Sequence, residues 1–540
     1  MKDHGTFSVQ LDDDGWREIG DGTVFYWTSE WSPTPPFVTE GTWTDADLAA
    51  NPGHWALVDL RGPSPKLTVD RQRSRPLLAA RAGGRWMIAD NVEAFRRYMP
   101  FKKNKKVAEV FRHFGHTVGH ETLVHNIWDT PAGSTMTLRK TAEVEPYLIY
   151  RSDTDPVTTQ EEYTELLTVA ADAAFGRLLQ QVGERQLVVP ISAGFDSRFI
   201  LTWLRRLGAT NVVTYSYGLP HAPERETSTA VAKALGYPFH FVSYSPEELR
   251  AAWDEDAATR YVRESWGATS LPHKQDWYAV RQLTASGVIE PGAVIMPGHT
   301  LCAVPAVAPI LAPEPDLDLV AREFAVYAGS QQREPENVVK NRYFQSVLQE
   351  HADRVGFGDN PRDNLTLWRW MGLQHRQSKF ITNSVRVYEH FGLNWAMPLH
   401  EPEIWEARQR GSDELTRGRA GYKQAITERF NEVAVGSLPE PPPHPAEPPA
   451  TPTAAAAKPL TFKQRLGRSK LGQLLTNNGL TKRWYRANHP IRSPLGTDVF
   501  RPELTKLQVM MSRSALPTGN GMASDALLNG KGHGNKGLFG

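Results

Sequence analysis

The stretch that most restricts how this chain can fold is VVPISAGFDSRFILTWLRRLG, residues 188–208. Val188, Val189 and Ile191 form the β-branched apolar run of a strand buried on both faces. Ser192-Ala193-Gly194-Phe195-Asp196-Ser197 then turns tightly through small residues. Phe199, Ile200, Trp203, Leu204 and Leu207 follow at helical spacing. A buried strand that passes through Ser and Gly into a helix leaves the first helical amides unbonded. Together with the positive end of the helix dipole they make an anion site. The plain alternative is an ordinary strand–turn–helix with Ser197 as its cap.

The residues that follow repeat the same architecture. NVVTYSYG (211–218) reads as a second strand, ERETSTAVAKALGY as a helix, FHFVSY as a third strand and GAVIMPGHTLCAV (292–304) as a further buried strand. Strands and helices alternating at this spacing predict a doubly wound parallel α/β sheet, with ligands at the carboxyl ends of its strands. TTQEEYTELLTVAADAAFGRLLQQV (158–182) is an amphipathic helix that introduces this domain. Residues 1–150 differ: short alternating strands, a hairpin through Gly83-Gly84, and a helix make a β-rich, α+β region. His116 and His120 are four apart, as metal ligands on a helix are, but Gly115 and Gly119 interrupt the helix and favour core histidines.

Ser192 to Ser197 resembles the SGGxDS pyrophosphate loop of the ATP pyrophosphatases, with Ala193 in place of one glycine. The Walker pattern is absent. Asp70, Arg71, Arg75, Pro76 and Leu77, and the segment VFRHFGHTVGHETLVHNIWDTPAGSTMTLRK, resemble the N-terminal domain of asparagine synthetases. The resemblance implies a degenerate Ntn-hydrolase-like sandwich (1–150), a PP-loop synthetase domain (158–437), a Pro/Ala linker (438–458) and a basic, partly disordered tail (459–540). Glutamine-using members carry a nucleophilic cysteine at the mature N-terminus. This chain begins Met1-Lys2-Asp3 and has one cysteine, Cys302, so glutamine hydrolysis is not expected. Members without that cysteine include the β-lactam synthetases, lasso-peptide cyclases and asparagine-synthase-related proteins of polysaccharide or natural-product clusters.

The resemblance also implies site residues. Ser192, Ala193, Gly194, Asp196 and Ser197 would hold the ATP phosphates, and Asp196 would help hold Mg2+. Tyr215 and Gly218 would bracket the adenine. Gly298 and His299 stand where the family has its second pyrophosphate segment, although Thr300, Leu301 and Cys302 replace the acids expected there. The segment 376–406 resembles the family pattern S-x-E-x-R-x-P-x-x-D, with Arg386 and His400 where acids are usual. Arg386, Glu389 and Lys423 are the catalytic candidates. The plain reading of 376–406 is a helix on the sheet whose basic ends snorkel to solvent.

A formal charge of +1 gives no bias toward nucleic acid or membrane, and no apolar run approaches the length of a span. The expectation is a cytoplasmic ATP-dependent carbon–nitrogen ligase, forming AMP and pyrophosphate, with a homodimer allowed. It adenylates an unidentified carboxylate for attack by ammonia or an amine. The alternative is a catalytically degenerate relative that binds nucleotide or serves as a scaffold.

Overall fold

Two facing sheets make up the first part of the molecule. The computed structural model describes residues 2–3, 7–19, 22–29, 35–149, 151, 156–192, 194–218, 220, 223–253, 256–299, 308–329 and 336–435. Ala193, Thr300, Leu301, Cys302, the linker 438–458 and the tail 459–540 lie outside the described residues. One sheet runs, in spatial order, Lys2–Asp3, Phe7–Gln10, Arg85–Ala89, Leu78–Ala82 and Ile127–Asp129. The other is antiparallel throughout: Ala142–Pro146, Ser134–Leu138, Lys66–Val69, Trp55–Asp59, Val24–Thr28 and Trp16–Ile19.

The hairpin forms where the Gly-Gly pair allows it. Gly83 and Gly84 have φ of +56° and +80°, the left-handed values a tight two-residue turn requires. Val9, Ala79 and Ile88 meet Val58, Leu67 and Met136 between the sheets. Phe37, Val38 and Leu48 cover the outer face carrying Tyr26, Trp55 and Leu57. The helix Lys105–Phe114 puts Val107, Ala108 and Phe111 over Leu78, Ala80 and Met87 on the other. Each large side chain so buried contributes about 1.5–3 kcal/mol. The layers are therefore helix, sheet, sheet, helix.

The Lys105–Phe114 helix ends at Gly115, whose φ is +76°. His116 thus lies past the helix, fully buried, with its ring stacked 5.5 Å from Phe114 and Nδ1 3.2 Å from the Thr117 carbonyl. Among the described residues no group of three or more His, Cys, Asp or Glu is arranged to hold a metal.

The second part is built on a parallel sheet with strand order Phe239–Ser243, Val212–Gly218, Leu187–Pro190, Val294–Ile295, Asn394–Trp395. Helices cover both faces. On one, Leu167, Ala171 and Phe175 of Gln160–Val182 pack with Phe199 and Trp203 of Phe195–Arg206 and with Ile426 and Phe430 of Ala420–Val433. On the other, Tyr261, Trp277 and Val280 pack on Val188, Ile295 and Trp395. The helices Leu317–Ala328, Arg342–Val355 and Asp363–Met371 share a separate core around Phe324, Phe344 and Trp370.

The segment after Met371 departs from the plain expectation of a helix with snorkelling basic ends. Gly372–Ile381 is wound as a π-helix, Thr382–Val385 as a 3-10 turn and Arg386–His390 as a short α-helix. Its basic residues are inside: Lys379 is fully buried and Arg386 is 8% exposed. Each has an acidic partner, Asp129 at 3.5 Å and Glu389 at 2.6 Å, so neither needs to reach solvent. Among the described residues no helix is long and apolar enough to cross a membrane.

Candidate functional site

The Leu187–Pro190 strand lies inside the parallel sheet, with the Val212–Gly218 and Val294–Ile295 strands on either side. That position sets the following turn at the carboxyl edge of the sheet. Gly194 caps the Phe195–Arg206 helix in extended conformation and, having no side chain, makes no cap hydrogen bond to the first helical amides. The two serines brace the turn from within. Ser192 Oγ accepts from the Gly194 amide at 3.1 Å, and Ser197 Oγ accepts from the Ser192 amide at 3.3 Å.

The end of the neighbouring strand crosses directly above the helix start. A Cβ on Gly298 would sit 2.9 Å from the Ser197 amide nitrogen and 3.4 Å from the Asp196 carbonyl carbon. Only a residue without a side chain allows this approach. His299 follows, its Nε2 2.7 Å from Ser384 Oγ. Burial pushes its pKa down to about 3; His273 adds to the effect and Asp196 opposes it, so the imidazole is neutral. Gly298, His299, Asp196 and Ser197 thus stand together at this edge of the sheet.

Asp196 does not stand free. Tyr422 Oη donates to its Oδ1 at 2.8 Å, and an Arg419 Nη donates to the same oxygen. Arg419 sits at φ +63° beside Gly418 at +60°, a kink that starts the Ala420–Val433 helix and turns its guanidinium toward the loop. Burial works against the charge of Arg419, but Asp196 outweighs it and raises the pKa. The Tyr422 hydroxyl is held in its neutral form by burial and by Asp196. Arg408 lies over the Tyr422 ring, 4.2 Å from its centroid.

The other candidates fall elsewhere. Lys423 is on the exposed side of its helix, and its ammonium makes no hydrogen bond or ion pair among the described residues. Tyr215 is fully buried and its carbonyl accepts from the Ile191 amide at 2.7 Å. The Gly218 carbonyl accepts from the Tyr244 amide at 2.8 Å, so both backbone acceptors already have partners. Beside them Tyr217 stacks on Tyr244 at 5.2 Å, and Tyr388 Oη donates to Asp276 at 3.0 Å. Burial pushes the pKa of Asp276 up to about 6.

Arg386 and Glu389 pair with each other and face the first sandwich. Arg386 donates to the Ser74 carbonyl, Trp395 Nε1 donates to Glu389 at 2.9 Å, and Arg75 lies 3.8 Å from Glu389. Alongside them His400 Nδ1 donates to Gln72 Oε1 at 2.6 Å, and Gln72 Nε2 donates to His54 Nδ1 at 2.8 Å. A Gln has one acceptor and one donor end, so this chain fixes His400 with a bare Nε2.

The residues that sequence reasoning missed are Arg419, Tyr422 and Arg408. Helical spacing carried part of the signal, since positions 419, 422 and 426 lie on one face and 423 on another.

The donor set fits magnesium poorly. Asp196, the carboxylate of the loop, already has its charge paired with Arg419 through Oδ1, which Tyr422 also binds, and no metal-holding group of three exists among the described residues. His299 and His400 supply neutral nitrogen where hard-cation sites use carboxylate oxygen.

No family model and no curated protein matches the chain. Among solved structures, the NH3-dependent NAD synthetase of Campylobacter jejuni aligns at 11% identity over 36% of this chain and 83% of that one, with a TM-score of 0.20. NMN synthetase from Francisella tularensis aligns at 12% identity over 41% and 96%, with a TM-score of 0.20. The glutamine-dependent NAD+ synthetase of Acinetobacter baumannii aligns at 10% identity over 54% and 60%, with a TM-score of 0.18. Likenesses this weak assign neither fold nor chemistry to the chain.

Proposed function

We propose that the chain is a cytoplasmic ATP-dependent ligase of asparagine-synthase type. It adenylates a carboxylate, releases pyrophosphate and passes the acyl group to ammonia or an amine. One observation carries the reading: a braced serine loop at the carboxyl edge of a parallel sheet, leading into a helix capped by Gly194 alone, with Gly298 crossing at backbone contact. That geometry suits the pyrophosphate of a nucleotide, to whose oxygens the loop amides and the Ser192 hydroxyl would donate, while Ser197 holds the turn from inside.

In this reading residues 1–150 are a degenerate, Ntn-hydrolase-like sandwich that does not hydrolyse glutamine, since they contain no cysteine. Residues 158–437 are the synthetase domain. Arg386 and Glu389 then position the two against each other through Ser74 and Arg75, and the exposed Lys423, next to Tyr422 in the chain, would supply its charge to the phosphates. The test is release of AMP and pyrophosphate from ATP across a panel of carboxylates and amines. AMP formation that depends on both partners supports the ligase, and its absence across the panel favours the second reading.

That second reading is a degenerate nucleotide-binding or scaffold protein. It is favoured by the ties of Asp196 Oδ1 to Arg419 and Tyr422, which already compensate the charge of the loop's carboxylate.

A further inference from the structure

We propose that Arg408 is a receptor for a phosphoryl group, and that polyphosphate at the 192–197 loop is neutralised by Arg408 and Arg419 in place of magnesium held on protein carboxylates. This rests on the nucleotide reading of the loop given above.

Arg408 belongs to the Pro402–Gln409 helix and is 2% exposed. Its Nη1 and Nη2 have no hydrogen-bond partner, and it forms no ion pair among the described residues. Its guanidinium lies over the Tyr422 ring at 4.2 Å. Such a contact offsets only part of the desolvation of a buried cation, which calls for an anion or several acceptors. Buried donors without acceptors mark a missing partner. The chemistry of that partner follows from the donors, since a guanidinium fork matches the oxygens of a phosphoryl group.

Its location follows from Tyr422. The same ring that stacks under Arg408 donates its hydroxyl to Asp196, so Arg408 stands one aromatic side chain from the loop. His400 lies close enough to Arg408 for their charges to interact, and its Nε2 is also buried without a partner. Arg419 pairs with Asp196, the Arg408 guanidinium behind Tyr422 has no carboxylate partner among the described residues, and His299 and His400 are neutral, so the pair of cations is only half compensated here. A polyanion is attracted to such a site before any metal joins it.

The test is calorimetric titration of ATP, and of inorganic pyrophosphate, into the full chain, once with excess MgCl2 and once with EDTA. The expected result is ATP affinity in EDTA within about threefold of that in magnesium, and a loss of about tenfold to a hundredfold in EDTA for Arg408→Gln. Arg408→Lys, which keeps the charge without the fork, should fall between them. Should Arg408→Gln fail to fold, the intact protein still decides the matter, because pyrophosphate in EDTA should raise its melting temperature. Binding in magnesium alone overturns this inference and spares the reading of the loop. Equal affinity of Arg408→Gln and the intact protein overturns it too. Absence of binding in both solutions overturns both.

Discussion

The Tyr422 hydroxyl donates to Asp196 at 2.8 Å, from a helix 226 positions further along the chain. This bond ties the end of the described chain to the turn that follows the Leu187–Pro190 strand, so the loop is fixed by a contact that no local pattern encodes. Tyr422→Phe removes the bond and leaves a charged acceptor short of one donor. It should lower stability by about 1.5–3 kcal/mol in urea denaturation. A variant that unfolds at the same midpoint would show that the tie to Asp196 carries no energy.

Gly298→Ala tests the crossing of the two backbones. The added Cβ meets the Ser197 amide nitrogen at 2.9 Å, and both sides of the contact are main chain, so neither can rotate away. The expected cost is about 1–3 kcal/mol, together with weakened nucleotide binding. Retention of both stability and binding would mean that the crossing relaxes freely.

Asp129 lies fully buried between two cations contributed by separate parts of the chain. Arg73 Nε donates to it at 2.8 Å, and Lys379 Nζ is 3.5 Å away. Asp129→Ala strands both cations in the interior and should cost about 3–5 kcal/mol. A urea midpoint shift equivalent to under about 1 kcal/mol would contradict a structural role for the pair.

Acid should destabilise the protein already in the range where unfolded histidines take up protons. Burial pushes His54, His116 and His351 each down to about 3, against 6.5 for the ordinary side chain. Between those values the unfolded chain binds protons that the folded chain does not. The contribution of these histidines is therefore complete above 6.5 and is lost as the pH falls, at about 1.4 kcal/mol per unit for each. Asp70 and Asp276, raised by burial to about 6, act in the opposite sense and offset part of the loss. Urea midpoints at pH 5 should lie below those at pH 7.5. The reverse order would show that the histidines are not buried as neutral groups.

Much of this arrangement is legible in the sequence because it is local. The run Val188 to Ile191 gives a strand, the small residues 192 to 197 a turn, and the 3.6-residue spacing of Phe199, Trp203 and Leu204 a helix. The Gly83-Gly84 hairpin is legible in the same way. The π-helix at Gly372–Ile381 is not, since its wide turns follow from burying Gln374, His375 and Lys379 together and from no propensity of those residues. Lys423 is the cation nearest the family position in sequence, whereas the structure turns Arg419 and Tyr422 to Asp196. Which face of that helix meets the sheet is a tertiary choice, recorded in the burial of Tyr422, Ile426 and Phe430.

The most direct test of the account is calorimetric titration of magnesium-ATP into the full chain and into Asp196→Ala/Ser197→Ala. The account predicts saturable binding by the intact protein and its loss in the double variant, which removes the loop's carboxylate and one of its two bracing hydroxyls. Absence of binding to the intact protein at millimolar nucleotide, or equal binding by both, would contradict it.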